Sequence, residues 1–391
     1  MMAELPLQLA LVLLLLAAAV AVAVKFIRLP YTIALVIVGT AIGASGIFPP
    51  LRLSKELLLG VLLPPILFEG ALYMDLEGLR RNWRSIGALA LLGTLISAAL
   101  IGVGAHYLLR LDWPVALLLG VIVSPTDPAS VLALFRRLRL ERLTVIIEGE
   151  SVFNDGLAVV LFGLVLAGAG TTPLGAIGEF FRAVSIGTGV GLGFGYLVFR
   201  LLAYIDDYLI EGLLTLILAY ASFIIAEALG GSGVIAVVLA GLIVGNYGRT
   251  LSMSPTTRVN LTSFWEFGSF MANSLLFLLI GLGLAQVELA LKPVFLYIFA
   301  AIGLVLLARA AAVYPLCGLL NILREEIPLR WQHLIFWGGL RGSIPIALVL
   351  GLHGVVSREI DNLLLTTVFG VVAFSLIAQG LTIGPLVRRL G

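Results

Sequence analysis

The chain has 391 residues, 61% of them hydrophobic and only 12% charged, with a mean hydropathy of +1.14. Soluble domains carry about 25% charged residues, so the composition excludes a soluble enzyme and describes an all-α polytopic membrane protein. The net charge of +2 is spread through loops and offers nothing to a nucleic acid, and the lone Cys317 lies in an apolar run as a small core hydrophobe.

Apolar runs bounded by charge, glycine or proline predict thirteen spans: Leu5–Val24, Tyr31–Ile47, Glu56–Tyr73, Ile86–Leu109, Trp113–Phe135, Leu143–Ala169, Leu174–Leu202, Tyr208–Leu229, Val234–Tyr247, Leu261–Leu284, Pro293–Leu323, Trp331–His353 and Ile360–Val387. Met-Met-Ala-Glu precedes the first run and Lys25 and Arg28 follow it. That pattern predicts a first transmembrane helix with its N-terminus outside, not a signal peptide. With that start, alternate loops hold sixteen Lys and Arg residues on one side, among them Arg80, Arg81 and Arg84, against five on the other. Basic loops stay cytoplasmic, so the C-terminus is expected inside a cell membrane.

Two spans look broken. The fifth contains Ser124-Pro125-Thr126-Asp127-Pro128, whose two prolines remove two amide donors. The twelfth contains Gly338-Gly339-Leu340-Arg341-Gly342-Ser343-Ile344-Pro345. Backbone of this kind at membrane depth is tolerated where it lines a cavity or is buried in protein. The breaks lie seven spans apart, an odd number that inverts the second copy. One membrane domain, 1–391, is therefore expected to hold two inverted repeats, about 5–169 and 208–387, joined by a linking helix at about 174–202. Gly187, Gly189, Gly191, Gly193 and Gly195 on that linking helix are expected to allow close helix packing.

The sixth span carries Glu148, Glu150 and Asp155 in its first half. A carboxylate in a lipid-buried helix costs about 2.5–3.5 kcal/mol on insertion scales, so these groups face protein or water. At 100° per residue Glu150, Asn154, Ser151 and Asp155 fall at about 0°, 40°, 100° and 140°. That polar face offers two carboxylates, a hydroxyl and an amide, all oxygen donors suited to a hard cation. Glu148, nearest the basic loop, also reads as an ordinary acidic helix start.

The remaining intramembrane charges need partners. Asp127 can balance the positive helix ends at the break or bind a cation, with Thr126 offering a hydroxyl, and Arg341 can balance the negative ends. Arg309, mid-span and always charged, needs a fixed anion, for which Glu150 is the best candidate. That pairing leaves Asp155 to exchange a proton for a cation. Glu69 lines an access path or helps to anchor an arginine. His106, His333 and His353 fall near span ends, and no HExxH or CxxC occurs, so no zinc site and no resident cofactor are expected.

Thr126-Asp127-Pro128, Glu150-Ser151-x-x-Asn154-Asp155, Arg309, Gly338-Gly339-Leu340-Arg341-Gly342 and Leu63-Pro64-Pro65-Ile66-Leu67-Phe68-Glu69 together resemble the monovalent cation/proton antiporter-1 family. That family includes the NhaP-type antiporters and the animal sodium/proton exchangers. The resemblance implies a homodimer of thirteen-helix protomers, crossing fifth and twelfth helices, and exchange of Na⁺ or Li⁺ for H⁺ by alternating access. It implies that Asp155 binds ion and proton, that Thr126, Asp127, Ser151 and Asn154 complete the site, and that Glu150 and Arg309 form a structural ion pair. In that family Asn-Asp, in place of two aspartates, goes with electroneutral exchange. A K⁺/H⁺ antiporter of the same fold is the alternative. A cation channel would show a repeated filter or ring of charges. An intramembrane aspartyl protease using Asp127 and Asp155 would need a Gly-x-Gly-Asp context, which is missing.

Overall fold

The structure, a computed structural model, describes residues 7–26, 29–46, 56–168, 173–286 and 292–390. Among the described residues all regular structure is helical, as expected where no water is present to satisfy open backbone. Eight helices, from Trp83–Leu109 to Arg358–Leu390, are long and apolar enough to cross a membrane. Five shorter apolar helices are Leu9–Val24, Tyr31–Ala44, Leu57–Tyr73, Trp113–Ile122 and Gly233–Arg249. Every expected span overlaps one of these helices. The outer ends of three expected spans, at Leu5, Ile47 and Ala169, lie outside the described residues, as do the loop charges Arg28, Arg52 and Lys55.

The chain forms two compact units, one from Met1–Leu58, Ile96–Leu140 and Met271–Gly391, the other from Leu59–Leu95 and Glu141–Phe270. Each draws segments from both expected repeats. In the first unit Gly39 faces the backbone of the helix Pro255–Gln286, where an added Cβ would lie 2.5 Å from Leu278 O. Tyr31 Oη and Ser274 Oγ share a 2.7 Å hydrogen bond between the same two helices.

In the second unit the helix Glu141–Ala167 rests on the short helix Leu76–Arg81. Gly149 makes this possible, because a Cβ there would come within 2.8 Å of Leu79 Cδ2. Met74, Leu79, Ile86 and Leu242 form the buried cluster at this junction. Asn246 ties the same turn down, accepting from Leu76 N at 3.1 Å and donating to Met74 O at 3.0 Å. Arg142 Nε adds a 2.8 Å bond to Asn82 Oδ1.

The glycine-rich helix Pro173–Leu202 departs from expectation in part. A Cβ on Gly187 would lie 2.6 Å from Ser232 O, on Gly191 2.5 Å from Ala236 O, and on Gly195 3.0 Å from Ala240 Cα. Gly189 and Gly193 have nothing within 4 Å of a Cβ. Only glycines four residues apart share a helix face, so three of the five serve the packing against Gly233–Ile243 and two do not.

Candidate functional site

Both expected breaks are present, and both lie in the first unit. The first broken helix runs Trp113–Ile122, loses helical geometry over residues 124–128, and resumes as Ala129–Arg137. Pro125 and Pro128 supply no amide hydrogen there. The second runs Leu329–Gly338, opens over residues 339–342, and resumes as Ser343–Leu350. The two interruptions meet: the Asp127 amide donates to Leu340 O at 2.8 Å. A carbonyl exposed by one break thus satisfies an amide exposed by the other.

A helix leaves its last four carbonyls without partners, and inside a membrane each would be costly. Leu329–Gly338 has three of these carbonyls answered. Arg309 Nη2 donates to Ile335 O at 3.1 Å. Gln379 Nε2 donates to Trp337 O at 3.3 Å. The Leu340 amide donates to Gly338 O at 2.9 Å. Just beyond, Arg341 Nη1 donates to Gly339 O at 2.7 Å. Two guanidiniums therefore sit at the negative end of one half-helix, where cations are favoured. Both are buried, Arg309 with 5% and Arg341 with 1% of its surface exposed.

Ser375 and Gln379 hold this arrangement from the last long helix. Ser375 Oγ accepts from the Arg341 amide at 2.7 Å and donates to Gln379 Oε1 at 2.8 Å. Both lie in a π-helical stretch, Ser375–Gln379, a form that often marks functional positions. Sequence reading passed over them, although two polar side chains four apart inside an apolar span were the available signal.

Thr126 is buried within the break and Asp127, next to it, is half-buried. Close quarters come from glycine. A Cβ on Gly342 would overlap the Asp127 carboxylate and lie 2.6 Å from its Cβ, and a Cβ on Gly339 would lie 2.8 Å from Arg309 Nε.

The second unit carries the other expected residues on the helix Glu141–Ala167. The helix is unbroken, so the polar face expected from its period holds. Glu150, Ser151 and Asn154 are buried, and Asp155 and Glu148 are half-buried. Glu69 is half-buried on Leu63–Tyr73, a helix that touches Glu141–Ala167. A further buried carboxylate escaped the sequence reading. Glu211 is fully buried and accepts a 3.1 Å bond from Thr257 Oγ1. At the first turn of its helix, after Asp206 and Asp207, it reads as an ordinary acidic start. The histidines do lie near helix ends, with His106 stacked on Trp113 at 4.1 Å and His353 Nδ1 2.7 Å from Asp361 Oδ2. Among the described residues no three His, Cys, Asp or Glu side chains cluster as a metal site.

Interrupted helices meeting at their breaks, with buried charge answering the exposed backbone, mark a membrane transporter of the broken-helix kind. Comparison with known proteins narrows this. Residues 11–389 match the family model described as "Sodium/hydrogen exchanger, transmembrane", and the chain belongs to that family of multi-pass transporters. It is 42% identical to the Na⁺/H⁺ antiporter NhaG of Bacillus atrophaeus, over 94% of this chain and 72% of that one. It is 39% identical to the Na⁺/H⁺ antiporter NhaP of Pseudomonas aeruginosa, over 94% and 92% of the two chains. Among solved structures, the sodium proton antiporter MjNhaP1 of Methanocaldococcus jannaschii shares the fold, with a TM-score of 0.80 over 97% of each chain at 22% identity.

The contact beneath Asp127 generates a test. Gly342→Ala should misplace the Asp127 carboxylate and reduce cation/proton exchange at least tenfold. Gly338→Ala, whose Cβ would meet nothing closer than 3.8 Å, should leave it within about twofold. Exchange assayed in proteoliposomes separates the two, and equal activity would show that the carboxylate tolerates displacement.

Proposed function

We propose that this chain is a Na⁺/H⁺ antiporter that works by alternating access, with Na⁺ and H⁺ competing for Asp155. The observation that carries the reading is the match of nearly the whole chain to relatives named Na⁺/H⁺ antiporters. The physical argument runs through charge. Asp155 alone among the polar face of its helix keeps partial exposure, so it can meet water-borne ions. Ser151, Asn154, Thr126 and Asp127 supply the further oxygens that a dehydrated hard cation requires. Glu150 and Arg309 act as a fixed ion pair, Arg341 balances helix ends, and Glu69 lines the access path. The protein works as a homodimer with its N-terminus outside and its C-terminus in the cytoplasm.

Competition for one negative charge makes Asp155 indispensable. Asp155→Asn should abolish exchange across Na⁺, Li⁺ and K⁺ while leaving the detergent-purified protein folded. Substantial Na⁺ uptake driven by a pH gradient in that variant would remove Asp155 from its role.

Arg309 acts in stability. Removing one partner of a buried ion pair costs about 3–5 kcal/mol, and Arg309→Ala also strips Ile335 O of its donor. Arg309→Ala should therefore lower the melting temperature. Adding Glu150→Gln should restore part of that loss, with the carbonyl's share remaining. Strictly additive losses would show the two residues to be uncoupled.

Position 154 is Asn, so the Asn154-Asp155 pair holds one titratable carboxylate. With Glu150 held ionised by Arg309 and Asp127 by the helix-end dipoles, only Asp155 changes protonation, so one Na⁺ displaces one H⁺ and no net charge crosses. A membrane potential does work of about 2.3 kcal/mol per charge per 100 mV, which here multiplies zero. Exchange in proteoliposomes clamped with valinomycin and K⁺ should be nearly independent of voltage, and a steep dependence would overturn the one-for-one stoichiometry.

A further inference from the structure

The second unit contains a cavity of about 540 Å³ that belongs to neither the breaks nor the polar face of the Asp155 helix. Its wall comes from the short helix Leu76–Arg81 and from four longer apolar helices. Apart from Arg80 and Thr188, every lining residue is apolar. Four of them stay open to the surroundings: Trp83 is 64% exposed, Leu91 43% and Phe153 39%, and Gly87 is exposed as well. The cavity is open at Gly87, which lines it and where a Cβ would meet nothing within 4 Å.

Charge is confined to one end. Of the three neighbouring arginines, Arg81 is ion-paired with Glu77. Arg84 stands 5.7 Å from the centroid of the Trp83 ring. Arg80 is exposed, lines the cavity and makes no ion pair among the described residues. It lies just before the span Trp83–Leu109, at the level where tryptophan and arginine mark the membrane interface. From Trp83 to Leu91 the helix rises about 12 Å, most of a leaflet whose hydrocarbon is about 15 Å deep. The cavity thus begins at a guanidinium in the interface and continues as an apolar trough through one leaflet.

We propose that this trough is a binding site for an anionic membrane phospholipid. Its phosphate rests on Arg80, and one acyl chain lies over Gly87 between Leu91 and Phe153. An annular lipid would touch these helices without preference. Here a concave apolar wall selects a chain, and a single uncompensated cation selects the headgroup. A basic residue near the surface contributes about 1 kcal/mol toward an anionic lipid, which corresponds to about a fivefold preference over a zwitterionic one.

The test uses the full-length protein in phosphatidylcholine vesicles doped with phosphatidylglycerol that carries a photoreactive diazirine in its acyl chain. After illumination, label should concentrate on the peptides holding Gly87–Leu91 and Phe153–Leu157. Photoreactive phosphatidylcholine should label them about fivefold less. Arg80→Gln should bring the two lipids to near-equal labelling. Gly87→Leu, which fills open space and so keeps the melting temperature, should remove the label from both peptides. Label spread evenly over the lipid-facing helices, equal labelling by both lipids in the wild type, or displacement of the lipid by soluble glycerol phosphate would each overturn the proposal.

Discussion

The 2.8 Å bond from the Asp127 amide to Leu340 O is the interaction on which the site's geometry rests. Breaking a helix inside a membrane exposes amides and carbonyls that water cannot reach. One broken helix would be left with that cost. Two, meeting at their interruptions, answer each other. Ser375, Gln379, Arg309 and Arg341 then deal with the amides and carbonyls that the crossing itself leaves over. The charges at the site are thus part of how the backbone survives there.

That economy leaves little slack. The carboxylate of Asp127 lies against Gly342, and the guanidinium of Arg309 against Gly339. Neither glycine has a positive φ, so what matters at these positions is room and not backbone freedom. A protein interior packs at crystal-like density, and a single methyl group in such a place shifts the groups that carry charge.

Much of this could be read from the chain because its causes are local. Pro125 and Pro128 forbid a continuous helix wherever they stand, and the apolar period and carboxylate spacing of Glu141–Ala167 survive because nothing interrupts them. What could not be read is which atoms meet across space. Nothing in the sequence around Leu340 says that its carbonyl receives the Asp127 amide. Arg309 was given an anion as its partner on charge alone, whereas the contact on view is to a neutral carbonyl at a helix end. Ser375, Gln379 and Glu211 drew no reading from the sequence, since burial is a tertiary property. Gly189 and Gly193 show the opposite error, in which composition suggested packing and the helix face denied it.

The three glycines that do pack, Gly187, Gly191 and Gly195, meet Ser232, Ala236 and Ala240, so each contact joins positions forty-five apart. Numbers that climb together on both sides mean that the two helices point the same way, as they must with one helix, Tyr208–Ala228, returning between them. The contacts recur every four residues, about 6 Å along the axis, like teeth of equal pitch on two racks. A slide of less than one tooth drives backbone atoms into each other. Whatever moves as ions cross, this pair has no small adjustment open to it and travels as a single beam.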